Sequence, residues 1–247
     1  SQIDRSPRDR NLRKMSDLKT LYLNLMERTL LGVIYEDPPI DKWTGGQYNL
    51  DLRIEGLDWP AQAHTMIGFK RLRNIRNICE FVIKNNIPGD FIETGSWRGG
   101  ACIYMRAILK AYECTDRTVW VADSFQGLPK PEAGKYPADA GDVHYTYDEL
   151  AVSLEQVREN FEKYDVLDEQ VRFLNGWFKD TLPDAPIDKL SILRLDGDMY
   201  SSTIEAISPL YGKVVKGGFI IVDDYNAVEG CKKAITDFRE RVGIVDP

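Results

Sequence analysis

Two apolar, strand-like runs end in acid: SILRLDGD at residues 191–198 and GGFIIVDDY at residues 217–225. A hard divalent cation takes oxygen ligands from rigid neighbouring elements, and aspartate supplies them with little side-chain freedom to lose. If the two strands are neighbours, about 4.8 Å apart, then Asp196, Asp223 and Asp224 converge at one end of a sheet as a metal-ligand set. The same residue types also mark turns, because Asp-Gly and Asp-Asp readily end a strand. Two further acids stand at comparable positions, Glu93 in FIETGSWRGG (91–100) and Asp123 in VADSFQG. A carboxylate at Glu93 repels a pyrophosphate, which wants bare amides and a helix N-terminus. It suits a cationic ligand instead, and S-adenosylmethionine carries both a sulfonium and an α-amino charge. Asp123 can accept both ribose hydroxyl protons, a role open to S-adenosylmethionine or NAD.

These residues need elements to hold them. The sequence predicts strands at 90–94, 118–123, 171–175, 190–196 and 219–223, with helices at 99–113, 147–164, 201–215 and 228–241. Short apolar strands alternating with helices make an α/β fold, a doubly wound, mostly parallel sheet covered on both faces. Its ligand lies beyond the carboxyl ends of the strands. Gly95 permits a close backbone approach or a strained turn there, and Gly99 and Gly100 open the following helix. Neither G-x-G-x-x-G nor G-x-x-x-x-G-K-[ST] is present, so the turn alone names no ligand. In NGWF, Asn175 and Trp177 either line an adenine slot or belong to the core.

Ahead of this core, Leu18, Leu21, Tyr22, Leu25, Met26 and Leu30 predict an amphipathic helix over 17–31. It has no obvious core partner, which points to a homo-oligomer contact. A loop rich in Pro, Gly and aromatics follows over 35–49, then a helix over 64–84. Residues 1–88 therefore read as a helical lid extension and 89–247 as the core, with a final strand pair expected beyond the last residue.

The apolar fraction of 43% allows a substantial core. A net charge of −7 argues against a general nucleic-acid binder. The basic residues Arg5, Arg8, Arg10, Arg13 and Lys14 read as a solvated arm. Four cysteines without a C-x-x-C pair suit a reduced, cytoplasmic setting. No apolar stretch is long enough to span a membrane, and no secretory signal pattern opens the chain.

HTMIGFKRL, ETGSWRGG, DSFQGLP, LRLDGDMYSST and IIVDDY together resemble the macrocin O-methyltransferase family, in family order from about residue 35 onward. The resemblance implies a class I, Rossmann-like S-adenosylmethionine-dependent fold, a divalent metal (usually magnesium) and a helical lid. It implies an acceptor hydroxyl on the sugar of a glycosylated natural product, as in antibiotic biosynthesis. By resemblance, Asp196, Asp223 and Asp224 fall on the metal-ligand positions. Glu93, Gly95, Ser96, Asp123 and Ser124 fall on the cofactor motifs, and Thr65 and Met66 on a lid-helix segment touching the methionine end of the cofactor.

A sugar hydroxyl is a weak nucleophile, so the reaction needs an acidifying cation and a base. Asp196 is a ligand and a candidate proton acceptor. His144 in DAGDVHYTY is the second candidate, because a neutral imidazole removes protons near neutral pH and the family has a histidine in this region. His64 reads as the start of the lid helix rather than as a catalyst. Tyr35, Trp43, Tyr48 and Trp59 are candidates to pack on an apolar acceptor. Other readings are a metal-dependent O-methyltransferase of a catechol-like diol and a non-catalytic binding module. An NAD-dependent dehydrogenase is opposed by Glu93 and by the absent dinucleotide motif.

Overall fold

Five short segments pair as parallel strands: β1 (Asp90–Thr94), β2 (Val119–Asp123), β3 (Val171–Asn175), β4 (Leu190–Leu195) and β5 (Val214–Val222). Their order in the sheet is β3-β2-β1-β4-β5, so the winding reverses between β1 and β4. Ligands of such sheets bind in the crevice at that reversal. The computed structural model describes residues 7–245, with side chains from residue 18 onward. The side chains of the basic run from Arg5 to Lys14 lie outside the described residues.

Side chains alternate faces along a strand. Phe91, Val121 and Ile192 pack towards α1 (Pro7–Leu30), α3 (Gly68–Lys84), α4 (Gly100–Ala111) and α5 (Leu154–Lys163). Ile92, Ala122 and Leu193 pack towards α7 (Tyr200–Leu210) and α8 (Glu229–Val242). Counting on by twos puts Glu93, Arg194, Asp196 and Asp223 on the face that carries α3 and α4. The register sets Glu93 beside Arg194, and Arg194 beside Ile221.

The helix expected over 17–31 does have a core partner. Leu23, Met26 and Leu30 are buried in the same cluster as Phe91 and Val119. Buried Glu27 of α1 accepts from Tyr104 Oη at 2.7 Å and from Arg73 Nε at 3.1 Å, tying α1 to α3 and α4. Leu18, Leu21 and Leu25 remain exposed on the other side of α1.

Other boundaries differ from expectation: the helix expected over 201–215 ends at Leu210, and β5 begins at Val214 rather than at 219. The helix expected from His64 begins at Gly68, so Thr65 and Met66 precede α3 rather than ride on it. The cause is a backbone contact: Gly68 has φ +76°, and a Cβ there would lie 2.4 Å from Gly56 N. An additional short helix, α2 (Leu50–Glu55), is capped by the Asn49 side chain and ended by left-handed Gly56. The helix expected over 147–164 is only α5, capped by Ser153, because 3-10 turns occupy His144–Thr146 and Asp148–Leu150.

The segment over 35–67 has clasps of its own. Asp41 Oδ2 accepts from Trp59 N at 2.9 Å and Oδ1 from Thr44 N at 2.8 Å. Arg53 and Asp58 form a buried two-bond pair. His64 Nδ1 lies 2.8 Å from Tyr164 Oη, joining the segment to the end of α5. Burial holds the His64 pKa down at about 4, helped by Lys163 and Arg98. The neutral ring therefore contributes stability that is complete above its ordinary value of 6.5 and is lost as pH falls towards 4. The expected difference in unfolding free energy from this residue is about 2 kcal/mol between pH 7 and pH 5. Urea unfolding of wild type and His64→Gln at both pH values checks it. Equal pH slopes in the two proteins would remove this assignment.

Candidate active site

Where β4 and β5 end, Asp196, Asp223 and Asp224 each offer a carboxylate oxygen, and these atoms lie within 4.8 Å of one another. Beneath them sits Arg194, whose side chain is 1% exposed. The two-residue period of β4 puts Arg194 on the face of Asp196, and the register puts it next to Glu93. Its Nη1 donates to Asp196 Oδ2 at 2.5 Å and to Glu93 Oε1, and its Nη2 donates to Asp223 Oδ1. Burial disfavours the Arg194 charge, yet Asp196, Asp223 and Glu93 hold its pKa well above the usual value. From α3, Arg71 Nη1 donates to the other oxygen, Asp223 Oδ2.

Even with both guanidinium groups, acid is in excess. Glu93, Asp196, Asp198, Asp223 and Asp224 line one cavity, and among the described residues they have only Arg71 and Arg194 as direct ion-pair partners. Burial, reinforced by Asp196, Asp198 and Asp223, pushes the Asp224 pKa up. Burial also raises Asp196, against the pull of Arg194. An all-oxygen donor set carrying uncompensated negative charge fits a hard divalent cation such as Mg2+.

The cavity measures about 820 Å³ and opens at the β1/β4 reversal. Of the residues singled out above for cofactor, metal or base work, all but Asn175 line it, from Thr65 and Met66 on one wall to Trp177 on another. Asn175 does not line it and is exposed at the end of β3.

Local geometry refines several of these positions. Gly95 is required by a backbone approach, because a Cβ there would lie 1.7 Å from Asp196 O. Gly100 serves the opposite wall, where a Cβ would lie 2.2 Å from His64 O. That clearance lets the segment carrying Thr65 rest on the start of α4. Glu93 is 1% exposed, and burial raises its pKa to about 7 against the pull of Arg194. Its Oε2 accepts from Cys102 Sγ at 3.0 Å, so both oxygens are engaged inside the protein. Asp123 Oδ2 accepts from Ser96 N at 2.6 Å and Oδ1 from Phe125 N at 2.8 Å, closing the two turns that border the cavity. Ser124 Oγ donates to Gly127 O at 2.7 Å and so shapes the second of them.

His144 is turned by its neighbour, with Nδ1 2.8 Å from Asp142 Oδ2. Asp198 takes φ +55°, an uncommon backbone for a non-glycine residue. Its N–H donates to Asp224 Oδ2 at 3.2 Å, and among the described residues no donor reaches its carboxylate. Burial, with repulsion from Asp196, moves its pKa up to about 7, while His144 pulls it down.

Arg194, Asp198 and Arg71 were not anticipated. A lone arginine inside the apolar run ILRL was the signal for the first, since a buried strand charge requires partners. The second acid of DGD was the signal for Asp198. Arg71 stands within HTMIGFKRL, but nothing in that motif marks it as a partner of Asp223.

The family described as macrocin-O-methyltransferase (TylF) matches residues 19–247. Demethyldecarbamoylnovobiocin O-methyltransferase of Streptomyces niveus is 55% identical over 231 residues, 92% of this chain and 88% of that one. A tetracenomycin-series enzyme of Streptomyces olivaceus, 8-demethyl-8-(2,3-dimethoxy-alpha-L-rhamnosyl)-tetracenomycin-C 4'-O-methyltransferase, is 50% identical and covers 94% of this chain and 89% of its own. The solved structure of the O-methyltransferase NovP superposes with a TM-score of 0.88 at 55% identity, covering 93% of each chain.

Replacing Arg194 by Met leaves buried Glu93 and half-buried Asp196 and Asp223 without their shared counter-charge. The expected cost is about 3–5 kcal/mol of folding stability, as for breaking a buried ion pair from one side. Thermal unfolding in metal-free buffer measures it, and an unchanged melting temperature would contradict this view of Arg194.

Proposed function

The chain belongs to the macrocin-O-methyltransferase family and is an O-methyltransferase, and we propose that its acceptor is a sugar hydroxyl on a glycosylated natural product. The methyl donor in this reading is S-adenosylmethionine, and Asp196, Asp223 and Asp224 hold a divalent cation, Mg2+ being the natural candidate. The observation that carries it is the sharing of one cavity by the acidic triad and the Ser96–Asp123 turn. The relatives act, by their names, on a novobiocin precursor and on a rhamnosyl tetracenomycin.

S-adenosylmethionine supplies a methyl group on a cationic sulfur. The turn at Ser96 and Asp123, with Thr65, Met66, Gly95, Ser124 and Trp177, is the surface assigned to it. Glu93 acts from beneath: its charge is shared with Arg194, and it holds that guanidinium under the site. The cation, when bound, serves as a Lewis acid towards the acceptor oxygen.

The acceptor O–H proton passes to a carboxylate as the new O–CH3 bond forms and the S–CH3 bond breaks, leaving S-adenosylhomocysteine. Asp196 Oδ2 and both Asp223 oxygens already accept from arginine, so these residues are assigned as ligands. Among the described residues no donor reaches the Asp198 carboxylate, and it receives the proton in this scheme. His144, steadied by Asp142, is assigned the following transfer towards solvent. The outer cavity suits a molecule with hydroxyls on one part and apolar surface on another. Tyr136 Oη donates to Glu205 at 2.8 Å there, and Trp43 and Trp59 meet edge to face at 5.1 Å. The segment over 35–67 is the assigned lid.

Turnover is expected to vanish in EDTA and to return with Mg2+, while S-adenosylhomocysteine binding persists. Asp198→Asn is expected to lower kcat by about 10²–10⁴ with cofactor affinity retained, and His144→Gln by less. Steady-state kinetics with calorimetric titration of S-adenosylhomocysteine measure both. Undiminished activity in chelator would overturn the cation reading, and undiminished kcat in Asp198→Asn would overturn the proton assignment.

A further inference from the structure

Arg71 hydrogen-bonds both to the metal-ligand set and to the lid. Its Nη1 donates to Asp223 Oδ2, its Nη2 to Gly56 O at 3.2 Å and its Nε to Ile67 O at 2.7 Å. Gly56 ends α2, and Ile67 closes the segment that carries Thr65 and Met66. The junction is built around this side chain. A Cβ on Gly56 would lie 2.5 Å from Arg71 Nη2, and a Cβ on Gly68 would lie 2.4 Å from Gly56 N. Two glycines therefore let α2 and the start of α3 meet backbone to backbone, with the guanidinium laid across them.

The two arginines on Asp223 differ in freedom. The Arg194 side chain is 1% exposed, whereas that of Arg71 is 36% exposed. Arg194 cannot leave, because Glu93 and Asp196 also depend on it. Arg71 can give up its carboxylate bond and find water. Resting on the assignment of Asp223 as a cation ligand, we propose that Arg71 is a positioning residue through which the cation site and the lid sense each other. Arg71 and the cation draw on the same carboxylate and repel one another at short range. Filling the site then weakens the Arg71–Asp223 link and frees the segment over 50–67. By reciprocity, a lid held by that link lowers the affinity for the cation. The order that follows is cation first, then movement of the wall past which the acceptor enters.

Mn2+ binding followed by electron paramagnetic resonance, together with amide exchange of residues 50–67 with and without Mg2+, tests this on the full chain. In wild type, Mg2+ is expected to raise exchange across 50–67. In Arg71→Met, exchange there is expected to be high and indifferent to Mg2+, with Mn2+ held at least about fivefold more tightly, the lower bound for coupled sites. Arg71→Lys keeps the charge but cannot bond three acceptors from one fork. Its lid is expected to exchange as in Arg71→Met and, by reciprocity, its Mn2+ affinity to lie above wild type but below Arg71→Met, because the positive charge stays near Asp223; wild-type Mn2+ affinity with a released lid would overturn the link. A wild-type lid blind to Mg2+ in protein that binds Mn2+, or an Arg71→Met variant that binds Mn2+ no more tightly, overturns the link and leaves the cation site standing. Wild-type protein that binds no Mn2+ overturns both.

Discussion

Arg194 is a fully buried charge in the middle of a parallel sheet, and the site is organised around satisfying it. A guanidinium taken out of water is costly unless its hydrogen bonds and charge are matched. Here Glu93 from β1, Asp196 from the end of β4 and Asp223 from the end of β5 match its charge and both Nη groups, while Nε has no partner among the described residues, so the match requires those three strands to be neighbours in one register. The same match fixes the acids that face the cavity. Asp223 has one oxygen turned down to Arg194 and the other turned to Arg71. A cluster of acids on flexible loops would repel and scatter, whereas acids anchored from below stay converged at the cost of an uncompensated surplus above.

The cavity walls close around that surplus through backbone contacts. Backbones touch at Gly95 against Asp196, at Gly100 against His64 and at Gly56 against Gly68. Each contact brings one wall of the cavity to the reversal point of the sheet: the end of β4, the Thr65 segment, and the α2–α3 junction. The three contacts depend on the absence of a Cβ, and together they narrow an open crevice into a half-enclosed cavity whose deeper charges are less screened than those at its mouth. Enclosure strengthens the hold on a cation and on a positively charged methyl donor alike.

Much of this was legible in the sequence. Apolar strands alternating with helices specify a doubly wound sheet, and such a sheet puts acids at strand ends on the ligand side; Asp196, Asp223 and Asp224 followed from that alone. The roles of Glu93 and Asp123 were less legible, because a side chain's partners depend on register. Glu93 reads as a cofactor contact until the sheet order sets Arg194 beside it. Asp123 lines the cavity, and its oxygens also close the Ser96 and Phe125 turns, contacts that only the folded chain shows. The start of α3 was missed for a related reason, since the positive φ of Gly68 follows from contact with Gly56, a neighbour in space. The helix α2 was missed despite a readable signal, Asn49 and Gly56 bracketing it.

The central claim is that the converged acids hold a divalent cation above Arg194. Anomalous diffraction from a crystal grown with Mn2+ and S-adenosylhomocysteine tests it most directly. The account expects one strong peak bounded by Asp196, Asp223 and Asp224, with Arg194 still paired to Glu93 beneath it. A crystal without a peak there, or with the cation bound elsewhere in the cavity, would contradict it.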